Sequence, residues 1–468
     1  MADHSWDTLV GQLKSHKIGR RTFMQKATAA GFSATAIVGA MVGTRTVATH
    51  AQENRTVTFW TTHTEPDLAS LQRIVDTYNG TAEGHQVELV QIPPAQVSDT
   101  TTLMTAVRGG DGPDAYLLDR FIVAQRANDG LLQDLGEFGG NEYLANYLDF
   151  AQAEASYGGS AYALPFDTDA RALYYNKTML SDVGVDPSEL DRSNGPVTWE
   201  RIAEIAAMLD VLDDNDNFTQ MGFVPWVNQG WHYTYGFSWG GSFFNADECR
   251  VTPDDQPIVD AFTWVRDFCV ARDANKVSAF GSPSMQPGFA GQQHPFVLGT
   301  LGMQVTGDWQ IAQQAQYAPD MDYGITWLPV PASLADSDSD MTGGNSTTWA
   351  GGWSIVIPEG AQNAEDAWTF LQYAAGPEGQ KIYSEDTSHL PTWSAMLEDP
   401  SIFDEEHQFF LELLTTAKNR PPLPVGALYW DELSAAYQAV YLAQDEPADA
   451  LAQVSEIVND AMGEFCPI

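Results

Sequence analysis

Positive charge is scarce. Only 22 of the 468 residues are lysine or arginine, against 63 aspartates and glutamates, a formal net charge of −41. Such a surface repels phosphate backbones and anionic lipid head groups, so nucleic acid is not expected as a partner and anionic substrates are disfavoured. Lysine is the rarer cation, at Lys14, Lys17, Lys26, Lys177, Lys276, Lys381 and Lys418. Salt screens the self-repulsion of like charges, and this balance fits a high-salt medium as well as an acidic exported protein. Cysteine is nearly absent. Cys249, Cys269 and Cys466 are odd in number, so at most one internal bridge forms; Cys249 and Cys269 are the expected pair, with buried free thiols the other option. Their separation fits neither a Cys-x-x-Cys metal site nor a redox motif. There is no Walker loop, no His-Glu-x-x-His and no Gly-x-Ser-x-Gly, and the histidines lack metal-ligand spacing, so neither metal nor cofactor is expected.

What is present begins with an address. Arg20-Arg21, with Phe23 two residues on and a small-residue-rich run from Ala27 to Gly43, resembles a twin-arginine export signal. Its apolar core of about 17 residues, diluted by Gly, Ser and Thr, is marginal for a permanent span of roughly 20. Cleavage after about Ala51 is expected, with retention as an anchor the alternative. Residues 1–51 carry six basic and two acidic side chains, so the remaining chain is near −45. About 417 residues then remain, enough for two domains of roughly 200.

Along that chain, Val57-Thr-Phe-Trp60 predicts a strand, Leu68, Leu71, Ile74, Val75 and Tyr78 a helix, and Val87 to Ile92 a second strand. A helix carrying Leu103, Met104 and Val107 follows, broken by Gly109-Gly-Asp-Gly-Pro-Asp114 before the strand Ala115 to Leu118. This alternation predicts an α/β fold with a largely parallel sheet, in which ligands meet the loops beyond the carboxyl ends of strands. Leu173 to Asn176 and Met221 to Pro225 are further expected strands, Thr198 caps a helix, and Trp353 to Pro358 with the helix 364–375 precedes a mainly helical tail from Asp404. Residues 336–344 have loop chemistry throughout.

Aromatic rings beside turn residues are the main chemical signal: Trp60, Tyr116, Trp226, Trp231, Trp239, Trp309, Trp349, Trp353 and Trp430. The C–H faces of sugars stack on such rings while polar rims bond the hydroxyls. Any one of these tryptophans is more often core than platform. Asp119-Arg120 after a strand is either a surface ion pair or a polar clamp in a cleft. Asp167, Asp169 and Arg171 precede the strand Leu173 to Asn176, where a crossover between two lobes would place a polar hinge contact. Paired acids such as Asp119, Asp167, Asp169 and Asp308 also admit a glycoside hydrolase, although a chain with 63 acids offers many accidental pairs. The acidic stretch 210–218 lacks the glycine and glutamate of a calcium loop.

Taken in order, Val57-Thr-Phe-Trp60, Gly109 to Asp114, Tyr157-Gly-Gly-Ser-Ala-Tyr-Ala-Leu-Pro165, Tyr174-Tyr-Asn-Lys177, Val197-Thr-Trp-Glu200, Gly307-Asp-Trp309, Tyr323 to Pro329 and Ala350-Gly-Gly-Trp-Ser354 resemble the sugar-binding extracellular solute-binding proteins of ABC importers. The resemblance implies a two-lobed periplasmic-binding-protein-like fold with the ligand cleft between the lobes: residues 52–166 and 350–388 in one, 167–349 and 389–468 in the other. It implies an exported, monomeric, non-catalytic receptor that delivers a neutral sugar or oligosaccharide to permease subunits in the membrane. A receptor for another solute such as a polyamine is the alternative. Asp119-Arg120-Phe121 matches a sugar-binding Asp-Arg-Phe, Asp169 a hinge carboxylate, and Trp226, Trp309 and Trp430 stacking rings. Thr62, Thr64 and Glu65 in the first loop, Tyr116, Asp167, Trp239, Asp308, Gly351 and Gly352 complete the expected ligand-binding set. Thr62, Thr64, Glu65 and Tyr116 depart from the maltose-type pattern and leave the sugar open.

Overall fold

In a computed structural model of the protein, residues 6–14, 17–18, 20–30, 55–93, 100–286, 291–335, 346–398 and 403–466 are described. The chain forms two compact units, residues 1–54 and 55–468. In the first, α1 (Trp6–Lys14) and α2 (Arg20–Ala29) bury Leu9, Leu13, Phe23 and Ala27 against one another. The arginine pair opens α2; most of the apolar run of the export signal and the expected cleavage point lie outside the described residues. No described helix is long and apolar enough to cross a membrane.

The second unit opens with β1 (Arg55–Thr61), α3 (Asp67–Thr81), β2 (His85–Gln91), α4 (Thr101–Gly109) and β3 (Ala115–Asp119). Of the apolar residues foreseen for α3, Leu71, Ile74, Val75 and Tyr78 form its buried face, and Leu68 in the first turn is partly exposed. Gly110 ends α4 in the left-handed region, with its N–H bonded to Ala106 and Val107 carbonyls, as a glycine C-cap does. β2, β1 and β3 pair in parallel, and the sheet is extended antiparallel by β9 (Trp353–Val356) and β4 (Ala163–Pro165), in the order β2-β1-β3-β9-β4.

A second sheet is built around the fully buried β5 (Asp169–Asn176). Three strands run antiparallel to it: β6 (Met303–Gly307), β7 (Tyr323–Thr326) and β8 (Trp349–Gly351), with β10 (Lys418–Asn419) parallel to β8. Helices α5 (Trp199–Leu209), α6 (His232–Ser238), α7 (Gln256–Val270), α8 (Gln310–Tyr317), α9 (Ala364–Ala374), α10 (Pro377–Thr387), α11 (Gly426–Tyr441) and α12 (Pro447–Met462) follow in chain order. Thr198 caps α5, its hydroxyl accepting from Arg201 N–H at 3.2 Å. Met221 to Pro225 is not a strand. Only Met221 makes a bridge, to Leu301, because the segment turns at once: Gly222 N–H goes to the Asp210 carboxylate and the Pro225 carbonyl accepts from the Tyr235 hydroxyl.

The chain changes sheet at residues 166–168, between β4 and β5, and at Gly352, between β8 and β9. Ala350 and Gly351, expected with the first lobe, still pair with β5. Residues 390–394, expected with the second, bond to Thr168, Tyr147 and Leu148 in bridges at Leu390 and Trp393.

The disulfide joins Cys249 to Cys466, 217 residues apart, and not to Cys269. Cys269 is a buried free thiol on the inner face of α7 beside Val265 and Phe268. The Asn459 side chain on α12 bonds both the N–H and the carbonyl of Val251, at 2.8 and 3.1 Å, which brings the chain's end to the turn carrying Cys249.

Candidate functional site

Arg120 follows β3 and is fully buried. Its Nε donates to Glu154 at 2.8 Å, and its two terminal nitrogens reach the carbonyls of Asp167, Gly351 and Trp353. One guanidinium therefore fastens both described sheet crossings. Gly352, at φ +128°, makes the close approach possible: a Cβ there would lie 2.4 Å from the Asp167 carbonyl and 2.8 Å from Arg120, a conformation and spacing that only glycine takes up without strain.

Asp119 does not pair with Arg120 as their adjacency implied. Its carboxylate accepts from Arg420 at 2.7 and 3.4 Å. Arg420 in turn lies over Phe121, 4.0 Å from the ring centre, and within 5.5 Å of Trp430. Arg171, on β5, pairs with Asp169, whose carboxylate also takes the Gly351 N–H at 2.7 Å. The Arg171 guanidinium sits 3.6 Å above the Trp349 ring, 5.6 Å from Trp309 and bonds Gln229 at 3.2 Å.

Beside these three pairs lies a group of a different kind. Asp167 takes the Trp353 N–H at 2.5 Å through one oxygen. Its other oxygen is enclosed without a hydrogen bond and faces His389 Nδ1 at 3.6 Å. Asp308 takes N–H groups from Trp309 at 3.0 Å and Leu390 at 3.3 Å, and also faces His389 Nδ1, at 3.8 Å. Burial, with Asp169 adding repulsion, pushes the Asp308 carboxyl well above the ordinary range; burial does the same to Asp167. His389 is held down to about 4, chiefly by burial, so its imidazole is neutral at pH 7. Asp67, at the start of α3, is raised to about 7 by desolvation and then by Glu65.

Half-exposed rings flank this polar floor. Trp309 stacks on His389 with ring centres 5.2 Å apart, and His63 meets Trp353 edge-on at 4.4 Å. The Trp309 ring folds back over Gly307, where a Cβ would lie 2.0 Å from it; the glycine of Gly-Asp-Trp is what admits the ring. Trp231 and Trp430 lie 5.4 Å apart on a further wall, with Phe121 5.4 Å beyond Trp430.

The structure thus groups Asp167, Asp169, Asp308, Trp309, Gly351 and Gly352, with Asp119 and Trp430 around Arg420. Thr62, Thr64 and Glu65 lie on the loop after β1, beside His63 and Asp67; Thr64 and Glu65 are exposed. Arg120 is buried with its Nε on Glu154 and its terminal nitrogens on the crossing carbonyls, which gives it a structural task. Trp60 and Tyr116 are buried neighbours in register on β1 and β3. Trp226 and Trp239 fall elsewhere. Trp226 stacks on Tyr441 at 3.9 Å, at the opposite end of α11 from Trp430, and Trp239 stacks on Trp199 inside the second sheet's helical layer. His63, Asp67, Gln229, His389, Tyr383 (stacked on His389 with ring centres 5.2 Å apart) and Arg420 are the residues that sequence reasoning missed. His63 stood in plain sight between Thr62 and Thr64; nothing local marks Arg420, which directly follows β10, or His389, which follows α10, and both arrive by tertiary contact.

A model of the bacterial extracellular solute-binding protein family matches residues 62–381. The chain belongs to that family. Its members are solute-binding receptors of ABC transporters. The maltotriose-binding protein of Pyrococcus abyssi is 22% identical over 347 residues, 74% of this chain and 68% of that protein. Among solved structures, CpMnBP1 with mannobiose bound superposes with a TM-score of 0.74 at 20% identity, covering 86% of this chain and 99% of its own. The GacH receptor of Streptomyces glaucescens, solved unliganded and with acarbose, gives 0.72 at 23%, covering 88% and 99%. At these identities the likeness establishes the two-lobed fold. In this chain the aromatic pairs and the buried acids gather at the crossings between the two sheets.

Proposed function

We propose that this protein is the carbohydrate receptor of an ABC importer, a monomer exported by its twin-arginine signal, that closes on a sugar or oligosaccharide and presents it to permease subunits in the membrane. The observation that carries the reading is the cleft's construction: half-exposed Trp309 and Trp353, each packed on a histidine, flank carboxylates fixed by backbone N–H groups. Rings supply the apolar wall for a sugar's C–H face, and the acids supply directional bonds to its hydroxyls. The similar proteins named for maltotriose, mannobiose and acarbose support the same ligand class. Closure follows if the ligand contacts both walls at once and so favours the closed form. The buried acids act as binding groups without turnover, and the acid-rich surface disfavours nucleic acid and suits a saline exterior.

Titration of the purified protein with a panel of mono- and oligosaccharides, read by tryptophan fluorescence at low and high salt, tests this. Saturable quenching without product formation is expected. Silence toward every saccharide in both salts removes the reading, and release of sugar products replaces it with a hydrolase.

A further inference from the structure

Six carboxylates and three guanidiniums meet around the crossings. The guanidiniums are matched one to one: Arg120 with Glu154, Arg171 with Asp169, Arg420 with Asp119. That leaves Asp67, Asp167 and Asp308 with no arginine bonded to their carboxylates. Arg120 reaches Asp167 only through the backbone carbonyl, and Arg171 acts on Asp308 from a distance. Both Asp167 and Asp308 are anchored by N–H donors, an arrangement that favours the ionised carboxylate. Yet the only ring nitrogen facing both, His389 Nδ1, makes no hydrogen bond, and neither does the enclosed second oxygen of Asp167. Asp167 is 1% and His389 7% exposed. Burial raises both carboxyls, and a cation seated against them would restore the ionised form that the N–H donors favour.

We propose that the sugar taken by this receptor carries a protonated amine, seated between Asp167, Asp308 and Asp67. This rests on the carbohydrate reading above and names its substrate class: an amino sugar rather than a neutral one. The ammonium is a compact donor of three hydrogen bonds; it meets the free oxygen of Asp167 and the carboxylate of Asp308, while the sugar ring lies on Trp309. Charge-assisted bonds of this kind are about twice as strong as neutral ones. Neutral His389 accepts at Nδ1 or turns its proton toward a hydroxyl.

Calorimetry with ligand pairs that differ only in an amine for a hydroxyl tests the assignment: glucosamine with glucose, mannosamine with mannose, galactosamine with galactose, and the β-1,4 glucosamine disaccharide with cellobiose. Maltose and mannobiose serve as neutral references and spermidine as a cation without a sugar ring. At least one amino member is expected to bind tenfold or more tightly than its neutral partner and than both references, and to keep that preference in high salt, since buried pairs are screened little. Asp167→Asn is expected to abolish the preference, bringing the amino member's affinity to that of its neutral partner measured on the same variant; Asp308→Asn serves if the first variant does not fold. Equal or tighter binding of the neutral members, a preference untouched by both variants, or spermidine binding above every amino sugar overturns the proposal and leaves a receptor standing. Failure of all saccharides, neutral and amino, overturns the carbohydrate reading itself.

Discussion

Asp119, Glu154 and Asp169 each face a guanidinium, whereas Asp167 and Asp308, at the same crossings, face His389 and backbone N–H groups. The first set is matched carboxylate to guanidinium. Arg120 also bonds the carbonyls of the crossing strands and Arg171 that of Trp349, so those acids serve the frame. The second set lacks positive charge and lines up with the half-exposed rings, so it is the part of the hinge addressed to a ligand. The difference teaches that acidity alone does not mark a binding site in so acidic a chain; what marks it is a carboxylate left unmatched after each arginine is assigned.

The sharpest way to break this contrast is to remove the frame's central cation. Arg120→Met should cost about 3–5 kcal/mol in denaturant unfolding, because Glu154 is left buried and unpaired and the carbonyls of 167, 351 and 353 lose their donors. A loss below about 1 kcal/mol would show that the frame does not depend on it. Asp119→Asn should cost about 1.5–3 kcal/mol, the range for a hydrogen bond to a charged group, by weakening the hold on Arg420. On the ligand side, Trp309→Ala should weaken sugar binding by about 1–3 kcal/mol, whereas Trp226→Phe, under Tyr441, should leave affinity unchanged; the reverse order would move the site. Asp167→Asn should act opposite to Asp119→Asn and raise the ligand-free stability by up to about 1 kcal/mol, since it removes a carboxyl whose ionisation burial penalises and keeps an acceptor for the Trp353 N–H.

The smallest effect is one of pH. Asp67 has a folded-state pKa of about 7, above the ordinary value of an unfolded aspartate, so the folded protein binds the extra proton and its stability falls as pH rises through 7. Taken alone, Asp67 favours the folded state more at pH 6.5 than at pH 8, so Asp67→Asn should lower the midpoint of thermal unfolding at pH 6.5 relative to the parent more than it does at pH 8. Further acidification works the other way, because His63 and His389, held to about 3 and 4, must stay neutral in the folded state while the unfolded chain protonates them. A monotonic rise through pH 5 would contradict that assignment.

Periodicity carried the elements with strong local signals. The spacing of Leu71, Ile74, Val75 and Tyr78 and the cap at Thr198 are properties of a few neighbouring residues, and they read correctly. Met221 to Pro225 misread because an apolar run looks like a strand whether or not its N–H groups find a ladder; here Asp210 and a proline take them out of one. The expected pairing of Cys249 with Cys269 failed for a related reason: proximity in sequence was the only measure available, while the meeting of Cys249 and Cys466 depends on where α12 docks. At the site, Gly307-Asp-Trp309 and Asp167 to Asp169 were legible as short motifs. Trp226 and Trp239 were not separable from Trp309 by composition, since all are tryptophans near turns, and only packing distinguishes a ring under Tyr441 from one facing a cleft. Arg120 is legible by position, but its bonds to Glu154 and to the carbonyls of 167, 351 and 353 come from tertiary structure that no local motif shows.

That side chain has a kinematic consequence. A rigid rotation that keeps the carbonyls of 167, 351 and 353 on a single guanidinium moves every other atom in proportion to its distance from that point. Asp167, bonded through its own carbonyl, is nearly stationary, while the rings of Trp231 and Trp309 sweep wider arcs. The ligand's polar end would thus be held at the pivot from first contact, and the aromatic walls would swing onto a sugar already oriented.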